Sequence, residues 1–103
     1  LQGTPEEHDR VVRWSRFPNT VVKLSALTAP TQYPHRSLAP HVKKLAEAFG
    51  PGRMLWGGGF GPESTPESYR AQRERARDFL RDFSPADQAR VLGGNAAKLL
   101  RFA

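Results

Sequence analysis

A chain of 103 residues is one domain or a piece of one, and with 38% apolar residues it can bury only a modest core. It has no cysteine, which excludes disulfide scaffolds and thiolate metal sites, and no apolar run approaches the ~20 residues that would span a bilayer. A net charge of +6, from 16 basic and 10 acidic residues, raises nucleic acid as a partner.

Twelve of those bases are arginine and the acids are interspersed among them, so the charge forms no basic tail. Specific nucleic-acid binding is therefore the weaker reading. Mean hydropathy is −0.61 and nothing at the start reads as a signal peptide, so a cytoplasmic protein away from membranes is expected. The chain begins at Leu1 without a methionine, which reads as a piece of something longer.

Taken in order, Thr4-Pro5-Glu6-Glu7 is a helix start: Thr4 caps, Pro5 takes the first helical position and Glu7 closes a capping box. A helix over about 5–16 follows, with Val11, Trp14 and Ser15 on one side, and Phe17-Pro18-Asn19 ends it. His8 on this helix is read as a surface residue. Residues 20–27 are rich in β-branched side chains and apolar on both faces except Lys23 and Ser25, as in a strand buried on both sides of a parallel sheet.

Thr28 to Arg36 is a loop of the kind that lines a site, carrying Tyr33 and His35. Ser37 caps a helix over about 38–49, whose Leu38, Val42, Leu45 and Phe49 make one apolar stripe, and Gly50-Pro51-Gly52 stops it. A second short strand, 53–57, opens directly into the glycine loop Gly57-Gly58-Gly59-Phe60-Gly61-Pro62.

A long helix over 66–83 is predicted next. Tyr69, Gln72, Arg73, Ala76, Phe79, Leu80 and Phe83 lie inside, and a mixed-charge outer face includes Arg70, Glu74, Arg77, Asp78 and Arg81. That outer face reads as solvated rather than as a nucleic-acid groove helix. The closing stretch has Ser84 as a cap, helix over 85–92, a break at Gly93-Gly94, and a last helix over 95–102 capped by Asn95 and apolar at Ala96, Leu99, Leu100 and Phe102.

The order is αβαβαα, with the final helical part interrupted at Gly93-Gly94 and only two parallel strands. Such strands, apolar on both faces, leave open hydrophobic edges and cannot be a finished sheet. Further strands have to come from elsewhere: the remainder of a longer protein, or a second copy.

Three blocks carry a resemblance: Pro18-Asn19-Thr20-Val21-Val22-Lys23-Leu24-Ser25; Ala48-Phe49-Gly50-Pro51-Gly52-Arg53-Met54-Leu55-Trp56-Gly57; and Leu92-Gly93-Gly94-Asn95-Ala96-Ala97-Lys98-Leu99. In this order and spacing they resemble the C-terminal part of the amidohydrolase-related, TIM-barrel metal-dependent hydrolases. The resemblance implies an α/β fragment of a (β/α)8 barrel, its seventh and eighth strands and closing helices, about the last third of ~250–300 residues.

It also implies hydrolase chemistry on a small organic ester, lactone or amide by an activated water. A divalent metal, zinc or similar, is expected in the full-length family. The family's run after the eighth strand is Trp-Gly-Ser-Asp-aromatic-Pro, with the aspartate as metal ligand or general base. Here Gly58 stands at the serine, Gly59 at the aspartate and Gly61 at the proline. The family's His-x-His ligands lie outside the chain. No catalytic residue and no metal ligand carries over, and this chain alone is expected to be inactive.

Residues that would line a cleft at the strand ends are Lys23, Ser25, His35, Trp56, Gly57, Gly58, Gly59, Phe60 and Glu63. His35 and His41, six apart with no third donor at fitting spacing, do not make a zinc site. Glu63 could swing toward Gly59, although a solvated loop carboxylate is its simpler fate. Gly57-Gly58-Gly59 is followed by no Gly-Lys-Ser/Thr, so a phosphate loop is disfavoured. Structural pairing is favoured over catalysis for Lys23, and a core role over a substrate platform for Trp56. A non-catalytic module that completes a split barrel, or binds through its basic surface, is the competing class.

Overall fold

The computed structural model describes residues 4–25, 27 and 38–102. Its first helix, α1 (Pro5–Arg13), starts where the capping box dictates. Thr4 Oγ1 accepts from the Glu7 N–H at 3.2 Å, and the Glu7 carboxylate accepts from the Thr4 N–H at 2.8 Å. The helix tightens into a 3-10 turn, Trp14–Arg16, and that change of period carries Trp14 off the inner stripe, leaving it 59% exposed. The covered stripe is instead His8, Val11 and Val12, at i, i+3 and i+4. His8, expected on the surface, is buried, with its ring edge-on to His41 at 4.3 Å between centroids.

Strand β1 (Val22–Leu24) lies parallel to β2 (Met54–Trp56), with Val22 opposite Met54, Lys23 opposite Leu55 and Leu24 opposite Trp56. The ladder is shorter than 20–27 and 53–57. Val22, Leu24 and Met54 are buried, whereas Lys23 and Val21 are exposed. The expectation of burial on both faces is therefore corrected. Side chains alternate across a strand, so Val22 and Leu24 pack into the core while Val21 and Lys23 on the other side are left exposed.

Between the strands runs α2 (Ala39–Phe49), and its stripe Leu38, Val42, Leu45 and Phe49 is buried as the periodicity required. It ends at Gly50, whose φ of +78° is costly for a residue with a Cβ. Ser37, the expected cap, and the loop from Thr28 to Arg36 fall outside the described residues. A 3-10 turn, Pro51–Arg53, then delivers the chain into β2.

The long helix α3 (Pro66–Phe79) begins with Thr65 and Ser68 in a reciprocal cap. It stops four residues before 83, because Leu80 leaves helical geometry and the chain turns through 80–83 to reach the Ser84 cap ahead of Pro85. Its charged face is exposed, as expected, and carries the Glu74–Arg77 pair at 3.6 Å. Ala76 and Leu80 are buried on the other side.

Helix α4 (Pro85–Ala89) runs through a wide turn, Arg90–Gly94, into α5 (Asn95–Leu100). Asn95 is not a cap. It sits in helical geometry, and its side-chain amide donates to the Pro51 carbonyl at 2.6 Å and the Met54 carbonyl at 2.9 Å. The apolar Leu99, Leu100 and Phe102 are 53%, 61% and 67% exposed.

The fold is thus mixed α/β around two parallel strands, in the order αβαβααα. Its core joins Leu24, Met54, Val42, Leu45, Leu80 and Val91. Burying each large side chain of that set contributes about 1.5–3 kcal/mol. No described helix is long and apolar enough to cross a membrane.

Candidate functional site at the carboxyl end of β2

The glycine loop is held by the two strands it follows. Gly57 N–H donates to the Leu24 carbonyl at 2.9 Å, extending the ladder one residue beyond β2. On the open side of the sheet the aliphatic stem of Lys23 lies across Gly57, and a Cβ built there would sit 2.7 Å from Lys23 Cδ. Strand alternation puts Ser25, which is half-buried, on this same side. Lys23, Ser25 and Gly57 therefore form one group.

Trp56 belongs to the other side, with Leu24. Its ring meets Phe60 at 6.1 Å and Tyr69 at 5.9 Å between centroids, and Phe60 meets Tyr69 at 5.0 Å. These separations suit edge-on and tilted aromatic pairs. The Phe60 ring fills the space that a side chain at Gly58 would need. The predicted cleft residues thus divide into two sets on opposite sides of β2. Tyr69 completes the aromatic set.

Gly59, between the two sets, has φ +67° and open space where a side chain would stand. Beyond it the loop is closed locally. The Gly61 N–H donates to Ser64 Oγ at 2.9 Å and the Ser64 N–H donates back to the Gly61 carbonyl at 3.0 Å. Glu63 is exposed, and its carboxylate lies over Gly61, with Oε1 2.7 Å from where a Cβ would be.

Two residues outside the loop position it. Arg53, the last residue before β2, donates from Nε to the Phe49 carbonyl at 3.1 Å. Its Nη1 reaches Phe17 at 3.0 Å and Thr20 at 3.4 Å, and its Nη2 reaches Ser15 at 3.0 Å. It ties the approach to β1 to the end of α2, which fixes where both strands begin. Asn95 does the same for the start of β2 from the α5 side. A lone arginine between a turn and an apolar strand was the available signal for the first, and the break before Asn95 hid the second.

His35 lies outside the described residues. His41 stands on α2 against His8, and the two line a cavity of about 210 Å³ together with Lys23, Ser25 and Lys44. Beside these rings Asp9 and Lys44 join α1 to α2 at 2.8 Å. The hydrogen bond from Lys44 and then its charge hold the Asp9 carboxyl below its ordinary value, helped by Arg13 and His41. Among the described residues no three His, Cys, Asp or Glu side chains converge as a metal would need, so those residues do not by themselves fit one. What the loop offers is a lysine stem, a hydroxyl, backbone amides and three rings.

Compared with known proteins, residues 2–102 match the family model described as amidohydrolase. No curated protein matches, and no solved structure does.

Proposed function

The chain belongs to the amidohydrolase family, whose function is of the hydrolase type, and we propose that it is the last third of a (β/α)8 barrel, with β1 and β2 as its seventh and eighth strands. The observation that carries this reading is the one-sided sheet. Val22, Leu24 and Met54 are buried under helices, while Lys23 and Val21 stand exposed on the opposite side. In a closed barrel that open side faces the interior, and the loop Gly57–Pro62 lies at the carboxyl ends of the strands, where such barrels keep their chemistry.

The whole protein would then act on a small organic ester, lactone or amide through an activated water, with a divalent metal held by residues outside this chain. This chain contributes no general base and no ligand to that step, because Gly59 stands where the family's aspartate would be. Its contribution is the barrel wall: Arg53 and Asn95 align the strands, and Lys23 and Ser25 line the interior above Gly57.

Assays of the isolated chain with added zinc against a panel of lactones and esters are expected to show no turnover. Turnover by the isolated chain that survives removal of contaminating hydrolases would contradict the reading. A second reading, favoured by the exposed Leu99, Leu100 and Phe102, is a non-catalytic module that completes a split barrel with a partner chain or a second copy.

A further inference from the structure

At the end of the sheet opposite the glycine loop, between the start of β2 and α5, lies an open basin of about 650 Å³. Its floor is aliphatic: Val21, Leu55 and Leu99. Its rim is cationic: Arg90, Lys98 and Arg101. No carboxylate lines it among the described residues.

Arg90 is held from outside the basin by Asp87 at 3.0 Å, whereas Lys98 and Arg101 form no ion pair with any described residue. Arg101 also sits at φ +55°, a left-handed position where glycine is the ordinary occupant, yet a long charged side chain is placed there. Leu55 is paired with Lys23 in the sheet, so the basin is continuous with the open side of β1 and β2.

We propose that this basin seats an extended segment of the polypeptide that completes the sheet, one that combines aliphatic side chains with at least two carboxylates. The proposal rests on the reading that the sheet is completed from outside this chain. Aliphatic side chains would cover Val21, Leu55 and Leu99, and the carboxylates would meet Lys98 and Arg101, which pair with no carboxylate among the described residues. Among the described residues the lining holds no aromatic ring on which bases could stack, which favours a protein segment over a nucleic-acid strand.

Fluorescence anisotropy with labelled peptides tests this directly. A short peptide of alternating valine and glutamate is expected to bind about tenfold more tightly at low salt than its valine–glutamine counterpart, as two exposed ion pairs allow. The preference should shrink as salt rises, and the K98E/R101E double variant should prefer a valine–lysine peptide instead. If that variant fails to fold, Lys98→Gln should lose part of the glutamate preference.

Equal binding of the glutamate and glutamine peptides, lost together in Leu55→Arg, would overturn the acidic partner and leave sheet completion standing. Equal binding of a short single-stranded DNA would overturn the proposal in favour of nucleic acid. Binding of no peptide would overturn it as well, and the oligomeric state of the chain would then judge the sheet-completion reading separately.

Discussion

Lys23 lies flat across Gly57, so close that a methyl group at position 57 would stand 2.7 Å from Lys23 Cδ. One strand's lysine can cross its neighbour only because the neighbour carries no side chain there. The atom it would strike belongs to a flexible, exposed stem, and this sets the size of the effect. Gly57→Ala should cost about 0.5–1 kcal/mol in denaturant unfolding, the order of a modest side-chain rearrangement. Its clearer consequence is a displaced lysine, visible as an altered rate of amine modification at Lys23. A modification rate unchanged from the parent would show that the two residues do not constrain each other.

Gly59 poses a different constraint. Space is open around it, but φ is +67°. Aspartate visits that region more readily than most residues and β-branched side chains do so least. Gly59→Asp should therefore lose about 1 kcal/mol and Gly59→Val roughly 2 kcal/mol, given the usual cost of left-handed geometry. In an intact barrel Gly59→Asp should also tighten zinc binding, read by competition with a chromophoric chelator. An intact barrel that already turns over substrate fully with Gly59 would mean the working carboxylate lies elsewhere.

Arg53 donates to four carbonyls, three of them on the segment that leads into β1. A lysine cannot span that fan of acceptors, since its three donors radiate from one nitrogen. Both Arg53→Lys and Arg53→Ala are predicted to destabilise by about 2–3 kcal/mol, on the scale of charge-assisted hydrogen bonds. Urea midpoints measure this, and a fully stable lysine variant would contradict it.

Asn95 supplies donors to Pro51 and Met54, and Met54 is completely buried. Asn95→Ala leaves those carbonyls without it and should cost about 1–3 kcal/mol. Asn95→Asp should cost more, because a carboxylate facing two carbonyl oxygens offers acceptor against acceptor. Equal stability of the two variants would argue against the amide acting as a donor.

The Asp9–Lys44 pair adds a dependence on pH. Because the folded state holds the Asp9 carboxyl below its unfolded value, the stabilisation is fully present above the unfolded value and is lost as pH falls through the folded one. Both side chains are more than half exposed, so the effect should be small and should vanish at about 1 M salt. Asp9→Asn should remove that acid-range dependence, followed by thermal unfolding across low pH.

Helix starts were legible because capping is a local code: Thr4, Thr65 and Ser84 each begin a helix where their sequence context says so. The α2 stripe followed from periodicity, and the two parallel strands from short apolar runs on either side of a connecting helix. What sequence could not give was which helix faces meet. His8 became buried and Trp14 exposed because a 3-10 turn rotates the end of α1, and Asn95 became a tertiary clamp rather than a cap. The site divided for the same reason. Trp56 and Gly57 are adjacent in the chain, but alternation sends them to opposite sides of the sheet.

Sedimentation equilibrium of the isolated chain tests most directly whether the sheet of β1 and β2 is completed from outside. The open side at Lys23 and Leu55, with the exposed Leu99, Leu100 and Phe102, predicts concentration-dependent association into dimers or larger species. A chain that remains a monomer over the whole accessible concentration range would contradict the incomplete barrel.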